Sequence, residues 1–153
     1  MKRILMILGG VFLGIFVAAV VGISILVVKG NALDKESKEY ANTAIVAAIS
    51  NWDVHELKRR ASPEFSSATS DEELGKLFSL FSMLGRLRVY QGCRGQATIS
   101  VTMQEGKVVR ARYVGRAEFE KGPAEIQITL IKHGEAWQVL GFRVDSKVFL
   151  RPA

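Results

Sequence analysis

Val109-Arg110-Ala111-Arg112-Tyr113-Val114-Gly115-Arg116-Ala117-Glu118-Phe119 is the stretch on which the fold turns. Val109, Ala111, Tyr113, Ala117 and Phe119 alternate with Arg110, Arg112, Val114 and Arg116. A period of two sends successive side chains to opposite faces of an extended chain, so the segment predicts a strand with one face in a core and the other in water. The same pattern continues on both sides. Downstream, Glu120-Lys121-Gly122-Pro123 has turn composition, Ile126, Ile128 and Leu130 make the next strand, Lys132-His133-Gly134-Glu135 turns again, and Trp137, Val139, Leu140, Phe142 and Val144 make the last. Upstream, Leu87 and Val89 alternate with Arg86 and Arg88, and Ile99, Val101 and Met103 alternate with Thr98, Ser100 and Thr102 before the turn Gln104-Glu105-Gly106. All of these are expected as half-buried strands, and Gly115 and Gly141 within them predict bulges.

Before Gly85 the apolar period lengthens to that of a helix. Tyr40, Ala41, Ala44, Ile45, Ala48, Ile49 and Trp52 follow one helical stripe from Asp34 onward. Asp53 with Glu56 reads as a capping box opening a short helix through about Arg60, and Ser62-Pro63 restarts the chain with a cap and a first-turn proline. Ser66 to Ser70 is expected as loop. Ser70 with Glu73 opens a further helix whose apolar stripe, Leu74, Leu77, Phe78, Phe81 and Leu84, ends at Gly85. About three helices first and an antiparallel meander second define an α+β domain with the helices on one face of a curved sheet.

The order of helices, the strand from Tyr113 through Phe119-Glu120-Lys121-Gly122, and the ending Trp137-Gln138-Val139-Leu140-Gly141-Phe142 resemble the cystatin-like, nuclear transport factor 2-like domains. More narrowly, the chain is similar to small bacterial envelope proteins that carry this domain over roughly residues 35–146. The resemblance implies a sheet wrapped around the helices, with a conical cavity that serves relatives as active site, ligand pocket or protein surface.

The amino-terminal region has a different character. Ile4 to Val28 is 25 residues without a charge, flanked by Lys2, Arg3 and Lys29. At about 1.5 Å rise per residue such a helix spans a hydrocarbon core of about 30 Å. A cleaved signal has a shorter apolar region, about 7–15 residues, so residues 4–28 are expected as an uncleaved anchor. The expected organisation is a cytoplasmic tip at 1–3, the span at 4–28, a linker at 29–34, the domain at 35–146 and a tail at 147–153. A two-residue basic tip is easily retained in the cytoplasm, which places the chain in an inner, or cell, membrane with its domain in a periplasm or on the exterior. Gly10, Gly14, Ala18 and Gly22 recur every four residues, a stripe that lets a second helix pack closely.

Among 153 residues there are one Cys and two His, which excludes a disulfide framework and a Cys/His zinc site, so no metal and no cofactor are expected. No phosphate loop, nucleophile elbow or dinucleotide fingerprint occurs. Asp53, His55, Tyr40 and Tyr113 are the acid and base candidates for a cavity enzyme, but each has a plainer role as cap or core, and His133 lies in a solvated turn. Cys93 is the default nucleophile, with Arg94 beside it to lower its pKa. Lys58-Arg59-Arg60 reads as the basic end of a helix. A protein that is not an enzyme is therefore expected.

Charge carries the clearer signal. Residues 30–84 hold 6 basic and 9 acidic groups, while residues 85–153 hold 12 and 6. Arg86, Arg88, Arg110, Arg112 and Arg116 are candidates for a basic binding face, because guanidinium forks match carboxylates and phosphates. No aromatic residues interleave with them on their own face, so nucleic acid is not expected as a partner. The leading expectation is a single-span membrane protein whose domain binds a protein partner or a second copy of itself. The rival from another class is a small-ligand or lipid cavity lined by Tyr40, Trp52, Tyr113, Phe119 and Trp137.

Overall fold

The computed structural model describes residues 32–150. A helix, α1, covers residues 32–49. It is followed by α2 (Val54–Arg60), α3 (Pro63–Ala68), α4 (Asp71–Phe81) and a 3-10 turn at Ser82–Leu84. Four strands then form one antiparallel sheet in sequence order: β1 (Leu87–Thr102), β2 (Gly106–Phe119), β3 (Gly122–His133) and β4 (Ala136–Asp145). A second 3-10 turn, Lys147–Leu150, closes the described chain. The architecture is α+β, with four helices where the periodicity predicts about three.

Local chemistry starts each short helix where the sequence predicts it. The Asp53 carboxylate accepts from the N–H of His55, the Ser62 hydroxyl from that of Phe65, and the Ser70 hydroxyl from that of Glu73, satisfying donors that a helix start leaves without partners. Glu56 does not complete a capping box. Its carboxylate instead pairs with Arg59 and Arg60, one turn on. Ser66 to Ala68, expected as loop, are helical, since the Ser62 cap and the proline after it launch a helix that Phe65 pins into the core. Residues 32–34, expected as linker, already belong to α1.

The helices lie on one face of the sheet. Ala41, Ala44, Ile45, Ala48 and Ile49 of α1 are buried, and so are Ala111, Tyr113, Ala117 and Phe119 of β2 and Ile126, Ile128 and Leu130 of β3. Burying each large aliphatic chain contributes about 1.5–3 kcal/mol relative to exposure, so this slab dominates stability. Trp52, at φ 49°, turns the chain out of α1 and stacks on Phe119 with ring centroids 5.1 Å apart. Phe78 and Phe81 of α4 pack on the same indole, and Phe149 reaches Phe81 from the last 3-10 turn. Residues 147–150, expected as tail, thus pack on the domain.

Two expectations for the sheet are corrected. Gly115 is not a bulge, because β2 pairs regularly through it; it leaves room for the Tyr90 ring and Ile45, which a Cβ there would approach to 3.2 and 3.3 Å. The bulge lies opposite, in β1, where Gln91 and Gly92 face the single residue Arg116, and Gly92 takes φ 86°. Gly141 does adjoin a bulge, with Leu140 as the extra residue. The second correction concerns Ile99, Val101 and Met103, which are exposed instead of half-buried. β1 is a single 16-residue strand, and its distal part runs out beyond the helices of the described residues.

Among the described residues no helix is long and apolar enough to cross a membrane. The expected span at residues 4–28, with Gly10, Gly14, Ala18 and Gly22, lies outside the described residues.

Candidate functional site

Because β2 alternates without interruption, Arg110, Arg112 and Arg116 all emerge on the face opposite the helices, each exposed. Pairing sets their neighbours. Arg110 stands between Thr98 and Ile131, Arg112 between Gln96 and Thr129, and Val114 between Arg94 and Gln127. Arg94 therefore joins the face as a diagonal neighbour of Arg112, and sequence reading did not assign it there. The bulge at Gln91 and Gly92 re-aims β1 at this point, a tertiary effect with no period to betray it.

The arginines differ in what holds them. Arg116 lies 3.4 Å from Glu125, Arg143 2.9 Å from Asp145 and Arg110 4.0 Å from Glu105. Among the described residues Arg94 and Arg112 make no ion pair. Their cross-strand neighbours Gln96, Thr129, Val114 and Gln127 are neutral, so the β1–β2 part of the face holds two guanidinium groups without an ion pair among the described residues. Arg86 and Arg88 do not join them. Arg86 precedes β1, and Arg88 is the extra residue of a bulge between Leu87 and Val89, at the far end of the strand from Arg112.

At the β1 bulge the face turns the sheet edge into a cleft of about 760 Å³, where Lys38 of α1 joins Arg94, Arg116 and Glu125. Cys93 forms part of its wall and is 4% exposed. Burial pushes the thiol above its ordinary value, and Tyr90 and Lys38 pull it back only in part. The expectation that Arg94 activates this thiol is overturned, because consecutive strand residues point to opposite faces and Arg94 turns away from Cys93.

The five expected cavity residues are placed differently. Tyr113 is 1% exposed, and its hydroxyl lies 2.7 Å from the Ser37 hydroxyl and donates to the Asp34 carbonyl at 2.9 Å. Trp52 and Phe119 stack in the aromatic cluster, and the Trp52 indole N–H donates to the Gly85 carbonyl at 2.9 Å. Trp137 is buried under the Lys132 ammonium, 5.7 Å from its ring. Tyr40 is partly covered, and burial raises its phenol against the pull of Arg60. None of the five lines the 760 Å³ cleft or a second cleft of about 860 Å³, whose walls include Ala117, Ala124, Val148 and Phe149.

The remaining acid and base candidates are scattered. Asp53 caps α2, His55 is exposed, and the His133 ring meets the Glu64 carboxylate of α3 at 2.9 Å, a contact across 69 residues that turn composition concealed. Lys58 pairs with Asp71 at 3.3 Å and Arg59 and Arg60 with Glu56, which makes the basic run a helix end tied to local acids. Among the described residues no three His, Cys, Asp or Glu side chains gather as a metal site. The chain matches no protein family and no curated protein.

Proposed function

We propose that this chain is a single-span membrane protein whose outward-facing domain, cystatin-like in type, works without catalysis as a protein-binding or assembly module that presents its β2 face to an acidic partner. One observation carries the reading: Arg94 on β1 and Arg112 on β2 are diagonal neighbours without an ion pair among the described residues, while Arg116 and Arg143 on the same face are paired to acids and Arg110 lies 4.0 Å from Glu105. A solvated face dilutes its charge with local counter-ions. A partner's carboxylates, bound by guanidinium forks, would supply those missing here. The apolar run at residues 4–28 supports the anchor.

The test is co-purification of the full chain, gently extracted from its own membrane. Arg94→Ser with Arg112→Ser should release the partner while the domain melts as before, and added salt should weaken the wild-type complex in the same way. Unchanged co-purification would remove this face from the account.

A second reading, a small-ligand or lipid site, is favoured by the predominantly apolar 860 Å³ cleft between the last 3-10 turn and the end of the sheet at Ala117 and Ala124. Native mass spectrometry decides it: a retained small molecule that Val148→Asp expels supports the cleft, and bare protein argues against it.

A further inference from the structure

The β1–β2 hairpin runs past the rest of the sheet. Pairing of β2 with β3 stops at Val109 opposite Lys132, whereas β1 and β2 stay paired out to Thr102 opposite Gly106. Beyond that level the hairpin is, among the described residues, a two-stranded ribbon without a third strand, a structure that is marginal in water by itself. Its apolar side chains are bare: Ile99 is 37% exposed, Val101 75% and Met103 107%. Ile99 and Val101 lie on the helix side of the ribbon, opposite Val109 and Lys107. Lys107 makes no ion pair among the described residues, and Arg110 behind it reaches Glu105 only at 4.0 Å.

The ribbon projects from the end at which α1 enters the domain. Asp34 accepts from the Ala97 N–H at 2.7 Å and, through its carbonyl, from Tyr113 at 2.9 Å. Farther along α1, Asn42 accepts from Tyr90 and Ile45 lies beside Gly115. The helix therefore leads away from the hairpin tip. Val101 and Met103 lie four and six residues beyond Ala97, about 13 and 20 Å at the rise of a strand. Asp34 follows Val28, the end of the uncharged apolar run, by six residues, which is at most about 20 Å of chain. Residues 32–34 are already helical, so the tether is shorter than that bound.

We propose that the hairpin tip, Val101 and Met103 with Lys107, rests in the interfacial layer of the membrane that holds the anchor. Apolar side chains at the boundary of headgroups and acyl chains, with an ammonium at the lipid phosphates, form a second contact beside the span, and this contact fixes which end of the domain faces the bilayer. The inference rests on the anchor reading given above.

The experiment uses the full chain in nanodiscs of phosphatidylcholine and phosphatidylglycerol, with Cys93→Ala as background. Met103→Cys carries an environment-sensitive dye, and Lys121→Cys, in the turn at the opposite end of the sheet, is the control. The dye at 103 should be blue-shifted and quenched by brominated acyl chains, and the dye at 121 should be neither. Val101→Asp should abolish the quenching without moving the melting temperature. A dye at 103 that stays in water overturns the proposal, and so does one that is shielded but not quenched, since a protein surface such as a second copy would then cover the tip. Release of the chain from membranes by alkaline carbonate overturns the anchor reading and this one together, whereas a retained chain with a wet tip overturns this one alone.

Discussion

The hydroxyl of Tyr113 lies 2.7 Å from that of Ser37, joining the middle of β2 to the first turns of α1 across 76 residues. Both groups are buried, and the phenol also donates to the Asp34 carbonyl at 2.9 Å. This closed network is where helix and sheet are locked in register. Tyr113→Phe removes both contacts of the phenol, leaving the Ser37 hydroxyl and the Asp34 carbonyl only their own 3.2 Å bond, and should cost about 1–3 kcal/mol in urea unfolding. Ser37→Ala, which leaves the phenol its carbonyl acceptor, should cost less. Equal costs would show that the phenol does not hold both partners.

The two tryptophans should respond differently to replacement by Phe. Trp52 donates to the Gly85 carbonyl, whereas the buried Nε1 of Trp137 has no partner among the described residues. Trp52→Phe abandons an acceptor and loses stacking on Phe119. Trp137→Phe removes an unsatisfied donor, so it should be milder by about 1–2 kcal/mol in the same unfolding measurement. The reverse order would mean that the Trp137 N–H is satisfied in solution.

Acid should weaken the tie between α3 and the β3–β4 turn. The Glu64 carboxyl is held below its ordinary value of 4.5, first by a backbone hydrogen bond at its own residue and then by the His133 ring. A carboxyl lowered in the folded state contributes stability above its unfolded value, and that contribution fades as pH falls through the lower, folded one. Melting curves recorded from neutral to acid pH should therefore drop less steeply for Glu64→Gln than for the wild type. Parallel curves would show that the carboxylate gains nothing from folding.

The Cys93 thiol should be slow to react. It is 4% exposed, and burial raises it away from the thiolate form that reagents attack. Alkylation by iodoacetamide should be much slower in the native chain than in urea. Arg94→Ala should leave the rate unchanged, because Arg94 points to the other face; a change would show that the two side chains communicate.

Gly95 should be intolerant of any side chain. A Cβ there would collide with the backbone carbonyl of Arg112 on the paired strand. Gly95→Ala forces β1 away from β2 and should destabilise by about 1–3 kcal/mol or more, whereas Gly75→Ala, which meets nothing within 4 Å, should be harmless. Equal stability of the two variants would require the strands to separate without cost.

Much of the local structure was legible in the residues themselves. Asp53, Ser62 and Ser70 cap helices where the sequence predicts, the turns at Glu105, Lys121 and Gly134 separate the strands, and β2 alternates from Val109 to Phe119. The same alternation misled at Ile99, Val101 and Met103. Their period reports an extended chain, but burial needs a covering layer, and among the described residues α1 meets β1 at Asp34, which bonds the Ala97 N–H, short of Ile99. The arginine face was legible in part: Arg110, Arg112 and Arg116 share a strand, while Arg94 reaches the face only through pairing, and Arg86 and Arg88 are set apart by a bulge.

The elements, the helix starts, the turns and the α+β class follow from the residues alone, because each depends on neighbours within a few residues and on the 3.6 or 2 period of apolar side chains. Tertiary structure alone decided which alternating face was covered, which arginines found a carboxylate, that Cys93 was buried while Arg94 was exposed, and that Tyr90 and Tyr113 would reach Asn42 and Asp34 across 48 and 79 residues. Those outcomes belong to contacts between distant segments, set by bulges, by strand register and by the packing of α1, and no local pattern encodes them.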